Sequence, residues 1–189
     1  KSGKTTSDSL VKNLSQKYPR PVLLLPETPP TGKIKSILLP IDFSKHSTVS
    51  ILIALEISEK TNATLHCCHM YEVPSGYSKT GKTFEEFAAI MLENAKKDFK
   101  NFLAENNLPD LLCTFILRDK KDEADNIMEF ARSIETDLLI VGSRGRSRSA
   151  AVLLGSVAEK LVNNNHDIPM LVMKEKGENM SFLEALFKI

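Results

Sequence analysis

The residues whose types and spacing best suit chemistry lie between Gly142 and Ser156, in the stretch GSRGRSRSAAVLLGS. It spells Gly-x-x-Gly, nine residues, then Gly-Ser, directly after the apolar run Asp137–Val141. That pattern suits a phosphate. Gly142 and Gly145 permit positive φ and let backbone N–H groups approach an anion closely. Gly155 and Ser156 add amides, and Ser156 a hydroxyl, near a helix end whose unpaired N–H groups attract negative charge. Arg144, Arg146 and Arg148 add positive charge beside them. With glycine at about 7% of residues, three glycines and a Ser or Thr at this spacing arise by chance in roughly one chain per hundred of this length.

A second element agrees with the first. The segment Leu39–Ser44 (LPIDFS) ends an apolar run, and the carboxyl ends of strands are where open α/β sheets hold ligands. Asp42 there can accept from a ribose hydroxyl or position a base. It can equally serve the turn, or the N-cap of the next helix.

The elements that must position these residues alternate in type. Apolar runs at Ile34–Ile41, Ala63–Val73, Leu111–Leu117, Asp137–Val141 and Met170–Met173 read as strands. Helical spacing appears over Lys45–Lys60, from the Thr83/Glu86 capping box onward, over Asp122–Ile134 and over Ala150–Asn163. In the longest helix Phe84, Phe87, Ala88, Met91, Ala95, Phe99, Phe102 and Leu103 share one face and read as core. Asp137–Val141 shows no polar alternation, as expected when both faces of a strand are covered. Five strands separated by four helices predict an α/β, doubly wound, five-stranded parallel sheet in the order 3-2-1-4-5. The first and fourth strands then flank the switch point, with Asp42 and Gly142 on opposite lips of one crevice.

Composition narrows the partners. Twenty-five basic residues against 24 acidic ones leave a net charge of +1, no electrostatic reason to expect nucleic acid or an anionic membrane. No apolar run approaches the ~18–20 residues of a membrane span. Cys67, Cys68 and Cys113 have no Cys-x-x-Cys spacing and read as buried free thiols in a reducing cytoplasm. His46, His66, His69 and His166 lack zinc-site spacing, and His66 and His69 read as core or edge histidines on opposite faces of the second strand.

The N-terminal 32 residues repeat part of the chain's C-terminal third. Ser9–Glu27 (SLVKNLSQKYPRPVLLLPE) and Ser156–Glu175 (SVAEKLVNNNHDIPMLVMKE) both run helix, polar link, proline, apolar strand, glutamate. Residues 1–32 therefore read as the last helix and strand of a second, incomplete copy, with a linker. Gly3-Lys4-Thr5 looks like the end of a Walker A loop, but no glycine-bearing segment precedes it. In the tail, 177–189, Phe182, Leu183, Leu186 and Phe187 share a face of a short amphipathic helix.

From Lys33 to Lys176 the chain resembles a universal stress protein domain of the ATP-binding subclass. PIDFS, ATLHCCHMYEV, VGSRGRSRSAAVLLGSVAEKLV and PMLVMK carry the resemblance. It implies an Asp42 contact to adenosine with Pro40 and Ile41 beside it, and the Met70 backbone against the base. Gly142, Gly145, Gly155, Ser156 and Val157 would line the ribose and phosphates, with Arg144 and Arg146 at loop positions that vary in the family. The implied ligand is ATP, ADP or AMP, with or without Mg2+. The family pairs through its last strand, so the resemblance implies a homodimer, or an intrachain pseudo-dimer in which Val22–Leu25 pairs antiparallel with Met170–Met173. The function it implies is a regulatory module of the stress response. A slow ATP hydrolase or phosphotransferase using Asp42 and a metal is the enzyme alternative, although no nucleophile–base pair is legible. A structural protein with an empty crevice is the third reading.

Overall fold

A computed structural model of the protein describes residues 20–118, 122–143 and 154–174. The Ser9–Tyr18 half of the N-terminal repeat, Arg144, Gly145, Arg146 and the tail fall outside the described residues. In chain order the elements are β1 (Val22–Leu24), β2 (Ser36–Pro40), α1 (Lys45–Thr61), β3 (Thr64–Tyr71) and α2 (Phe84–Glu105). They continue with β4 (Leu112–Leu117), α3 (Glu123–Ser133), β5 (Leu138–Gly142), α4 (Ser156–Asn164) and β6 (Met170–Met173). A short 3-10 turn, Tyr77–Thr80, precedes α2.

All six strands form one sheet in the order β1-β6-β5-β2-β3-β4. The five strands expected from the sequence pair in parallel in the expected order, and β1 adds an antiparallel strand beyond β6. Its register sets Val22 against Val172, Leu23 against Leu171 and Leu24 against Met170.

Both faces of the sheet are buried, and alternation along each strand divides the core in two. Ile37, Leu39, Cys67, Leu138, Ile140 and Leu171 face α1 and α2, where Ile51, Ala54, Ile57, Phe99 and Phe102 cover them. Leu38, Cys68, Leu139, Val141, Met170 and Val172 face α3 and α4, against Ile127, Ala131, Ala158 and Leu161. Cys67 and Cys68 thus sit on opposite faces, and all three cysteines are free thiols. Burial pushes the Cys67 thiol up to about 12, so it is inert at neutral pH. At the amino end of the sheet, Asp137 Oδ2 accepts from the N–H groups of Lys35 (2.8 Å) and Ser36 (3.0 Å), pinning β2 beside β5.

Two helices differ from the sequence expectation. The Thr83–Glu86 capping box forms, with Thr83 Oγ1 accepting from Glu86 N–H and Glu86 Oε2 from Thr83 N–H. Only the second half of α2 enters the core, however: Ala95, Phe99, Phe102 and Leu103 are buried, while Phe84 is 41% exposed. Twenty-two helical residues span ~33 Å, whereas six strand residues reach only ~20 Å, so the first turns outreach β4. There Phe84 and Phe87 pack on Tyr77 instead. The last helix begins at Ser156, not near Ala150, because Leu154 and Gly155 are not helical and Gly155 is its N-cap.

Directly opposed residues of an antiparallel pair lie within disulfide reach. Oxidising a Leu23→Cys/Leu171→Cys variant is therefore expected to give a cross-link at monomer mass in denaturing electrophoresis. Cross-linked dimers alone would contradict the β1–β6 pairing.

Candidate functional site

The strand order reverses between β2 and β5. From β2 the chain winds outward to β3 and β4, then returns to start β5 on the other side. Helices following these two strands leave on opposite faces, so a crevice opens above their carboxyl ends. A cleft of about 490 Å³ lies there, within the ~300–1,000 Å³ usual for small-molecule sites.

Every described residue expected to serve the site lines this cleft: Pro40, Ile41, Asp42, Met70, Gly142, Gly155, Ser156 and Val157. The two halves of the glycine motif, twelve positions apart in sequence from Ser143 to Gly155, meet. Gly155 N–H donates to the Ser143 carbonyl at 2.7 Å, and Ser143 N–H donates to Met173 at the end of β6. Glu159 N–H then donates to the Gly155 carbonyl to start α4. With glycine as N-cap, no side chain caps the helix, so its first-turn N–H groups look to another acceptor. One expectation is corrected. Gly142 does not use positive φ, because it is the last residue of β5 and pairs with Met173. It lines the cleft without a side chain.

On the opposite lip, Asp42 is half-buried and serves its own turn. Its Oδ1 accepts from Ser44 N–H at 3.0 Å and from Ser47 Oγ at 2.8 Å, while Asp42 N–H donates to Ser47 Oγ at 3.1 Å. Ser44 is the N-cap of α1 but makes no side-chain cap bond, so the carboxylate two residues earlier orders that helix start. Asp42 combines the turn role and the cleft position that the sequence left as alternatives, while the N-cap position falls to Ser44.

The sequence reading missed the rest of the wall. Tyr71 and Glu72 close β3, Arg118 follows β4, and α3 contributes Glu123 in its first turn. Arg118 N–H donates to the Tyr71 carbonyl at 2.7 Å, and its guanidinium lies 3.2 Å from Glu72 Oε2. The middle turns of α2 add Met91, Asn94 and Asp98. These residues share no motif because they come from four elements. Their signal was position, at the carboxyl ends of strands. Lys160 of α4 hydrogen-bonds Asp122, the N-cap of α3, tying together the two helices on that side. That contact holds the Asp122 carboxyl below its ordinary range. Among the described residues no three His, Cys, Asp or Glu side chains group as a metal cage.

Residues 33–174 match the universal stress protein family. The chain belongs to that family. It is 28% identical over 148 residues to universal stress protein MJ0531 of Methanocaldococcus jannaschii, covering 76% of this chain and 85% of that protein. It is 31% identical over 131 residues to a universal stress protein of Thermus aquaticus, covering 68% and 90%. Among solved structures, MJ0577 superposes with a TM-score of 0.59 at 21% identity, over 78% of this chain and all of that one. PA1789 of Pseudomonas aeruginosa superposes with a TM-score of 0.63 at 19% identity, over 96% of this chain but 60% of that longer one. These two likenesses establish the shared fold.

Glu123 generates a prediction. Burial chiefly, and then the carboxylates of Asp122, Asp42 and Glu72, raise its carboxyl above the ordinary value, against the opposing pull of Arg118. The folded state then holds this proton more tightly than the unfolded one. The ionised form therefore costs stability, absent below Glu's usual pKa of ~4.3 and growing as pH rises through the elevated folded value. Glu123→Gln is expected to raise the melting temperature at pH 7 and to lose that advantage near pH 4. A lower melting temperature at pH 7 would contradict this electrostatic account.

Proposed function

We propose that this universal stress protein binds an adenine nucleotide, ATP, ADP or AMP, in the cleft above β2 and β5 and acts as a regulatory module of the stress response. The observation that carries the reading is the closure of the glycine motif. The 2.7 Å bond from Gly155 to Ser143 brings Gly142 beside the start of α4, where the first-turn amides and the Ser156 hydroxyl lie at a helix N-terminus on the cleft that Asp42 also lines. Phosphates belong on that side, with Arg144, Gly145 and Arg146 as the loop's further contribution. Adenosine belongs toward Pro40, Ile41, Asp42 and Met70, with Val157 between the two.

The charge of the cleft favours the same polarity. Asp42, Glu72, Asp98 and Glu123 outnumber Arg118 among the described lining residues. Carboxylates accept from the hydroxyls of a ribose and the amino group of a base, and repel phosphate. No cage of protein ligands is gathered for Mg2+ among the described residues, so a magnesium ion would arrive with the phosphates and keep most of its water. The stress response is carried here by binding, with occupancy altering contacts rather than driving turnover.

The N-terminal strand bears on partners. It pairs antiparallel along the outer edge of β6, which supports reading the contact as an intrachain pseudo-dimer. The longer P. aeruginosa chain, which aligns with nearly all of this one, supports reading residues 1–32 as the end of a preceding unit.

The test is to denature purified protein and identify released nucleotide by mass, then titrate emptied protein with ATP. A stoichiometric adenine nucleotide, or saturable binding weakened at least tenfold by Gly142→Val or Gly155→Val, is expected. Protein that is empty and does not bind ATP would move the reading to a structural role.

A further inference from the structure

The turn that carries Asp42 is fastened from beneath by one buried side chain. Ile41 N–H donates to the Cys68 carbonyl at 2.9 Å, and the Ile41 carbonyl lies 2.8 Å from His69 Nδ1. A carbonyl can only accept, so Nδ1 carries the proton in that bond. Two residues on, Phe43 has φ 61°, a left-handed conformation that costs a bulky residue about 1–2 kcal/mol. Such a conformation persists where the surroundings hold it, and such sites cluster where ligands bind. The Phe43 ring stacks on His69, with centroids 4.0 Å apart and planes 21° from parallel. On its other sides it meets Phe99 and Phe102 of α2. One imidazole thus bonds the residue before Asp42 and supports the residue after it.

The position itself asks for no histidine. Leu65 and Cys67 occupy the same face of β3 in the same core, and an apolar side chain at 69 would fill the space. It would leave the Ile41 carbonyl without this donor and the strained turn without its tether. His69 is 9% exposed yet contributes to the cleft wall, so it lies between the packed core and the ligand space.

We propose that His69 is a positioning residue: it sets the backbone from Ile41 to Phe43 and thereby aims Asp42 into the cleft. The inference rests on the nucleotide-binding reading of that cleft.

Two substitutions separate the functions of the ring. His69→Asn keeps a donor near the place of Nδ1–H without the stacking surface. His69→Phe keeps a ring under Phe43 without the donor. ATP affinity by calorimetry is expected to stay within about threefold of wild type in His69→Asn and to fall at least tenfold in His69→Phe, with both variants folded by circular dichroism. Because His69 acts through Asp42, Asp42→Asn should weaken binding much less in the His69→Phe background than alone. Equal affinity in His69→Phe and wild type, or full additivity with Asp42→Asn, would overturn the proposal. Amide NMR shifts of Asp42 and Phe43 in ligand-free protein provide a second readout. They should move in His69→Phe and stay near wild type in His69→Asn. If wild type binds no ATP, the nucleotide reading fails, and these shifts alone decide whether His69 sets the turn.

Discussion

The reversal of strand order between β2 and β5 is the constraint on which the rest depends. Parallel strands need a crossover for every connection, and each crossover here is a helix that covers one face of the sheet. α1 and α2 cover one face and α3 and α4 the other. Where the two windings part, no helix can cover the strand ends, and backbone amides and carbonyls are left facing an open crevice. The carboxylate of Asp137 holds β2 beside β5 at the far end of the same two strands.

Those lips are built by different physical means. On the β5 side the chain uses absence: glycines without side chains, and a helix N-terminus without a side-chain cap. On the β2 side it uses over-determination. A left-handed phenylalanine, a carboxylate accepting two hydrogen bonds, and a histidine beneath them fix a short turn. A bare backbone lip suits a group with many acceptor oxygens, and a rigid acidic lip suits one with fixed donors. A nucleotide has both, at opposite ends.

Much of this was legible in the residues. The apolar runs located five strands to within a few positions, since the inner strands are buried on both faces and β4 is still an unbroken run of mostly apolar residues. Val22–Leu24 was legible only by comparison with Met170–Met173, and the two segments turn out to pair with each other. The glycine spacing marked one lip, and PIDFS the other. Glu72, Asp98, Arg118 and Glu123 were not legible, because residues from separate elements converge only in three dimensions. The front of α2 was misjudged for a related reason: helical periodicity shows which residues share a face, not whether a sheet lies beneath that face. His69 read as a core or edge histidine, and it is buried. Periodicity could not show that its ring nitrogen reaches the turn after β2.

The central claim is one of direction: phosphates toward Gly142, Gly155 and Ser156, adenosine toward Asp42. A crystal structure of the protein with ATP tests it most directly. Phosphate oxygens are expected on the Ser156 amide and hydroxyl, and an Asp42 oxygen within ~2.5–3.0 Å of a ribose hydroxyl. ATP bound the other way round, with its phosphates against Arg118, or bound outside the cleft, would contradict it.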